Sequence, residues 1–174
     1  MSENLLQLFR ENNAIAAEKF KNKVSNAFMF KLFLMVKLPM AFLANIKIKS
    51  LTTEGSSITV PFKWLNQNPF KSTYFAVLAM AAEMSSGLIA MMHTHESKPS
   101  ISMLVTNLEA EFVKKATGVT TFTCEDGKAI KDTIEKAIAT GEGQSYTCTA
   151  IGKSENGEIE AIFKVQWSFK ARKS

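Results

Sequence analysis

Cysteine is scarce in this chain: Cys124 and Cys148 are the only two in 174 residues. That is too few for a disulfide framework, and their spacing matches no zinc-binding pattern. Both are expected to be reduced, buried thiols of a cytoplasmic protein. Histidine is as rare. His93 and His95, in the stretch HTHE, would share a face if extended, but a third close ligand is missing, so no metal is expected. Beyond a helix end such histidines complement the helix dipole. The sequence has no Ser-His-Asp order, no phosphate-binding glycine loop and no dinucleotide fingerprint, so no cofactor is expected. Neither low-complexity tracts nor repeats divide it. Positive charge is present but not concentrated: the formal net charge is +5, with lysines scattered rather than clustered among aromatics, which argues against nucleic acid. The same balance suits a ligand carrying phosphates, such as coenzyme A, or a membrane surface.

What the chain does have is one long apolar stretch, Tyr74 to Met92 (YFAVLAMAAEMSSGLIAMM), with a single charged residue, Glu83. About 20 predominantly apolar residues would span a bilayer. Here Ala, Ser and Gly fill eight of the positions, and a carboxylate in mid-segment adds an insertion cost. The stretch therefore reads as a buried helix of a soluble domain, its small side chains letting other elements approach closely. An ionised carboxylate in such a setting is costly unless it is paired, hydrogen-bonded or neutralised. On a helical wheel Glu83 shares its face with Ser72, Ala76, Ala79, Met80, Ser86, Gly87 and Ala90, nearly all small. Space beside an acid suits a pocket for a thioester and a water, and equally suits close helix packing across a dimer interface.

A second apolar run, Ala27 to Leu43, is interrupted by Lys31, Lys37 and Pro39 and lies behind a polar segment, which is wrong for a secretory signal. It is expected to pack on the domain as an amphipathic helix, with peripheral membrane contact through residues 27–43 as the alternative. Leu5, Leu6, Leu8, Phe9, Ile15, Ala16 and Phe20 give the preceding segment a helical pattern. The chain thus divides into a helical extension, 1–43, and a core, 44–172, within one domain spanning 1–174.

From Ile46 onward the apolar residues alternate. Ile46 and Ile48, then Ile58, Val60, Phe62 and Trp64, mark two strands joined by TTEGSS as a hairpin. NQNPFKS leads into the long helix, with Ser72 or Thr73 as the N-cap. Past that helix, Ile101, Met103 and Val105 share one phase and Leu108, Ala110 and Phe112 the other, so a bulge is predicted near Thr106-Asn107. A short strand, VTTFTC, precedes a helix whose stripe is Ala129, Ile130, Thr133, Ile134, Ala137 and Ile138. Two strands follow, carrying Tyr146, Cys148 and Ala150, then Ile159 through Phe169, separated by a turn at Asn156-Gly157. The charged residues of the last strand are expected on a solvated face.

Two strands, a buried helix and about four more antiparallel strands make an α+β order in which a curved sheet must wrap one helix, the hot-dog architecture. The stretch NPFKSTYFAVLAMAAEMSSG resembles the signature of hot-dog acyl-CoA thioesterases: an Asn, a His-Gly-Gly helix start and an acid nine residues after the His. It looks closest to a thioesterase-like branch whose helix begins Tyr-Phe-Ala or Tyr-Phe-Gly and carries Glu. The resemblance puts Asn68 at the family's Asn, Tyr74 at its His, Phe75 and Ala76 at its glycines and Glu83 at its acid. It implies hydrolysis of acyl-CoA or a related thioester at a dimer-interface pocket. Glu83 would act as general base or nucleophile, Asn68 would orient water or substrate, and the Phe75 and Ala76 amides would form the oxyanion site. Tyr74, Ser86 and Gly87 would complete the substrate-binding surface. A homodimer or a tetramer is implied. Side chains in place of both glycines leave a second reading open, a non-catalytic module that binds acyl or CoA ligands or serves as a dimeric scaffold.

Overall fold

A computed structural model describes residues 2–172. Three helices open the chain: α1 (Ser2–Ser25), α2 (Ala27–Lys37) and α3 (Pro39–Leu43). Local chemistry sets the breaks between them. The Asn26 side chain accepts from the Phe28 and Met29 amides at 3.1 Å each, capping α2. Pro39, lacking an N–H, takes the first position of α3. The remaining elements are β1 (Lys47–Leu51), β2 (Ser56–Pro61), α4 (Phe75–Thr94), β3 (Ile101–Phe112), β4 (Val119–Cys124), α5 (Gly127–Thr140), β5 (Gln144–Lys153) and β6 (Ile159–Ala171).

The six strands form one antiparallel sheet in the order β1-β2-β4-β5-β6-β3. α4 packs across β2, β4, β5 and β6, with α5 and α1 beside it, which is the hot-dog fold. Ile58, Val60, Phe122, Ala150, Phe163, Val165 and Phe169 point inward from four strands and are 0–1% exposed. They leave water on the face that the period-two pattern predicts. Gly152 permits this packing, because a Cβ there would lie 2.5 Å from the ring of Phe122. The predicted bulge is present: pairing of β3 with β6 slips between Val105 and Asn107, and Thr106 Oγ1 donates to Gln166 Oε1 at 2.9 Å.

α1 is part of the core. Phe9, Ala17 and Phe20 are buried, and Asn13 donates from Nδ2 to the His93 carbonyl at 2.7 Å, joining α1 to the far end of α4.

Four expectations change. The strand predicted through Trp64 ends at Pro61, where its partner β4 also ends. Asn66 Nδ2 then donates to the carbonyls of Ala44 and Pro61, folding Trp64–Asn66 into a single 3-10 turn with Trp64 on the outside. Tyr74, not Ser72 or Thr73, is the N-cap of α4, and it caps without a side-chain bond; Thr73 is held in extended pairing just before it, its amide donating to Ala116 O. His93 and His95 do not share an extended face: His93 lies inside α4 and His95 caps its end. Glu160 leaves the solvated face predicted for β6 and is buried. The segment after β3 folds over it, with the Val113 and Lys114 amides on its carbonyl and Thr120 Oγ1 on its carboxylate at 2.7 Å.

Candidate functional site

α4 is buried on all sides over its C-terminal half, but its first half has one uncovered stripe. Ala76, Ala79, Met80 and Glu83 are only half-buried, whereas Val77, Leu78, Ala81 and Ala82 are buried. Spacings of three and four put those four residues on a single face. The sheet, α1 and α5 cover the other faces and leave this one as a strip of small side chains that ends at Glu83.

Among the described residues the Glu83 carboxylate has no ion-pair partner and accepts no hydrogen bond; Ser86 Oγ donates instead to the Glu83 carbonyl, at 3.1 Å. Burial alone pushes the Glu83 carboxyl up, from an ordinary 4.5 to about 7, because desolvation disfavours the charged form and no cation opposes it. Gly87, one turn on, gives the carboxylate its room. A Cβ at residue 87 would lie 3.0 Å from Glu83 Oε1 and 3.2 Å from Trp167 Cζ2.

Trp167 is the neighbour that the sequence did not mark. It lies on β6 in phase with the core residues, and its Nε1–H donates to Ser86 Oγ at 2.8 Å. Ser86 is thereby held by the indole and by its own helix and does not reach the acid. The tryptophan forms a wall beside Gly87 and Glu83. Its position in an alternating apolar strand carries no sign of this, since every such residue reads as core.

At the other end of the stripe the helix begins without a side-chain cap. The amides of Val77 and Leu78 return to Tyr74 O, at 2.9 and 3.3 Å, while those of Phe75 and Ala76 have no acceptor among the described residues. Free N–H groups at a helix start carry partial positive charge and attract an oxyanion. Thr73 Oγ1, buried just before them, also lacks a partner. Asn68 does not offer a free amide to the acid. Its Oδ1 accepts from the Phe70 and Ser72 amides, at 2.9 and 3.2 Å, and its Nδ2 donates to Ser72 Oγ at 3.1 Å, so it shapes the loop into α4. Tyr74 and Phe75 are largely exposed and pack edge to face, with ring centroids 4.7 Å apart; Phe75 continues to Phe112 and Phe112 to Phe163. The structure thus joins Glu83 to Ser86 and Gly87, and Tyr74 to Phe75 and Ala76. At 1.5 Å of rise per residue, the two groups stand roughly 10 Å apart along one helix.

Two other clusters are satisfied internally. His93 Nδ1 and Nε2 face Asn13 Oδ1 at 3.2 Å and Thr53 O at 3.3 Å, and burial lowers its pKa. Cys124 and Asp126, with Cys148 from the neighbouring strand, place their ligand atoms within 4.8 Å of one another. The Asp126 carboxylate is taken by Tyr146 Oη and the Thr149 amide. A hydrogen bond with Cys124, together with burial, pushes the Cys148 thiol up, away from the thiolate that binds metals. A cavity of about 290 Å³ lies under α2, lined by residues between Val24 and Ile48, with no part of α4 in its wall.

The profile of a family described as a domain of unknown function, DUF4442, matches residues 26–168. No curated protein matches the chain. Among solved structures it is similar to a protein of unknown function from Pseudomonas aeruginosa, named a probable thioesterase (16% identity, TM-score 0.71, covering 82% of this chain and 95% of that one). It is also similar to a protein of unknown function from Chlorobaculum tepidum (15%, 0.69, 87% and 97%). A third is a thioesterase from Haemophilus influenzae (13%, 0.61, 80% and 88%). At such identities the likeness carries the fold.

Proposed function

The chain belongs to the DUF4442 family, and we propose that it hydrolyses acyl-CoA or a related thioester with Glu83 as the group that activates water. The observation carrying this reading is an acid with no partner among the described residues, on a strip of small side chains, poised by burial to titrate near neutral pH. In the ionised form Glu83 takes a proton from water as the oxygen attacks the carbonyl carbon. The Phe75 and Ala76 amides receive the oxyanion, the carbon–sulfur bond breaks, and the carboxyl returns its proton to the leaving thiolate.

One thioester carbonyl cannot sit within about 3 Å of both groups when roughly 10 Å of helix separates them. A two-fold axis beside α4 resolves this, since an antiparallel second copy sets one protomer's Glu83 against the other's helix start. Support for such a pairing comes from β3. It is an edge strand of twelve residues with Leu104, Leu108 and Phe112 exposed, a ready template for another strand. A homodimer, or a tetramer built from it, is therefore part of the proposal. So is a reducing, cytoplasmic setting, which suits two buried free thiols.

The second reading, a non-catalytic acyl or CoA binder, draws on one observation: the aromatic stack of Tyr74, Phe75 and Phe112 covers the helix start. Thiol release from acyl-CoAs, short to long and aromatic, separates the two. The proposal expects turnover that rises with pH through about 7 and falls by about 10²–10⁴-fold in Glu83→Gln. Equal turnover in wild type and Glu83→Gln removes Glu83 from the chemistry. Thermal stabilisation by acyl-CoA with no turnover in any member of the panel establishes the binder.

A further inference from the structure

The outer face of α2 is wrong for a helix lying against water. A surface helix buries an apolar stripe and exposes polar residues, but of the eleven residues of α2 only Phe30 and Leu34 are buried. Phe28 is 74% exposed and Val36 64%, with Met29, Leu32 and Met35 also uncovered. The apolar surface continues past the helix. Met40, on α3, is 65% exposed, and the turn that follows β2 adds Trp64, at 79%. That turn is fastened to the end of α3: Lys63 Nζ donates to Leu43 O at 2.7 Å, and Asn66 Nδ2 to Ala44 O at 2.9 Å. Two segments distant in sequence are thus fastened together, each with large apolar side chains exposed, and such clustering of exposed apolar groups marks an interaction surface.

Charge identifies what covers it. The segments that build this surface, residues 26–44 and 61–66, hold three lysines and no acid. Lys31 and Lys37 lie within the apolar helix itself, and Lys31 Nζ stands 5.8 Å from the centre of the Phe42 ring, its stem laid along the apolar surface. A second copy seated on this face would set lysines against lysines with no carboxylate in these segments to pair them, which is costly. An anionic bilayer supplies both needs at once, acyl chains for Phe28, Val36 and Trp64 and lipid headgroups for the lysines.

We propose that α2, α3 and the Trp64 turn form a docking surface for anionic membranes. This inference is independent of the hydrolytic reading, because none of its residues lies on α4.

Vesicle flotation tests it, using phosphatidylcholine alone or with about 30% phosphatidylserine at low salt. The full chain is expected to partition at least about tenfold more strongly onto the anionic vesicles, and to lose that preference as salt screens it. Removing Lys31 and Lys37 (Lys31→Ser with Lys37→Ser) should lower partition by roughly 25-fold, about fivefold for each lysine near the surface. Phe28→Ser with Val36→Ser and Trp64→Ser, all at exposed positions, should abolish binding while leaving the unfolding temperature nearly unchanged. Failure to float with either vesicle, or equal binding to both, overturns the proposal. So does a wild-type assembly in sedimentation that the Phe28→Ser and Val36→Ser pair splits, which would put a second copy on this face.

Discussion

Replacing Glu83 by Gln keeps the side chain's shape and removes its charge, and the structure fixes the sign of the consequence. In the folded chain burial holds the carboxyl at about 7, against an ordinary 4.5, with no partner among the described residues. Between those two pH values the folded state binds more protons at this site than the unfolded state, so stability falls as pH rises. Below about pH 4.5 the acid is protonated in both states and wild type and Gln variant should be equally stable. Above pH 7 wild type carries the whole penalty, about 3 kcal/mol for a shift of this size. The variant should therefore unfold at a temperature roughly 6–12 °C higher than wild type at pH 8, at 2–4 °C per kcal/mol for a chain of this size. Thermal denaturation of both proteins from pH 4 to 8.5, at matched concentration, measures the difference directly, and other titrating groups cancel in it. A constant difference across that range would mean that burial does not raise the carboxyl, and a variant less stable than wild type at pH 8 would mean that the carboxylate has a favourable partner; either result refutes the reasoning.

Two further outcomes follow from the packing. Gly87→Ala puts a Cβ 3.0 Å from Glu83 Oε1 and 3.2 Å from Trp167. One of them must shift, at a cost of about 1–3 kcal/mol, and thioester turnover, where present, should fall at least tenfold while Glu83→Gln stability is affected no less than wild type. Asn13→Ala removes both the amide donor to His93 O and the acceptor facing His93 Nδ1. Two buried groups are then unpaired, so about 2 kcal/mol should be lost, with faster hydrogen exchange in α1 than in the sheet.

Periodicity made most of the fold legible. Alternation in Ile58–Val60 and along Ile159–Phe169, the stripe from Ala129 to Ile138 and the Asn156-Gly157 turn are local patterns that short-range sterics and one-sided burial enforce. Even the bulge at Thr106 was readable, because an extra residue flips the phase of every side chain after it. The lone acid and its small neighbours stood out for the same reason, through helical spacing alone.

What stayed hidden depends on partners far away in the chain. Nothing near Trp167 in sequence tells that its indole reaches Ser86 across 81 residues. Nor does the spacing of Cys124 and Cys148 show that neighbouring strands bring them together. Glu160 alternates like a solvated residue and is buried only because the chain after β3 folds over it. The sequence by itself determined the elements, their order and the oddity of Glu83, since these follow from residue-by-residue preference and the exclusion of water. Only the tertiary structure decided that the acid has no partner among the described residues, that Gly87 and Trp167 wall it in and that the Trp64 turn is fastened to the end of α3. Which groups meet across a curved sheet is set by the packing of the whole chain.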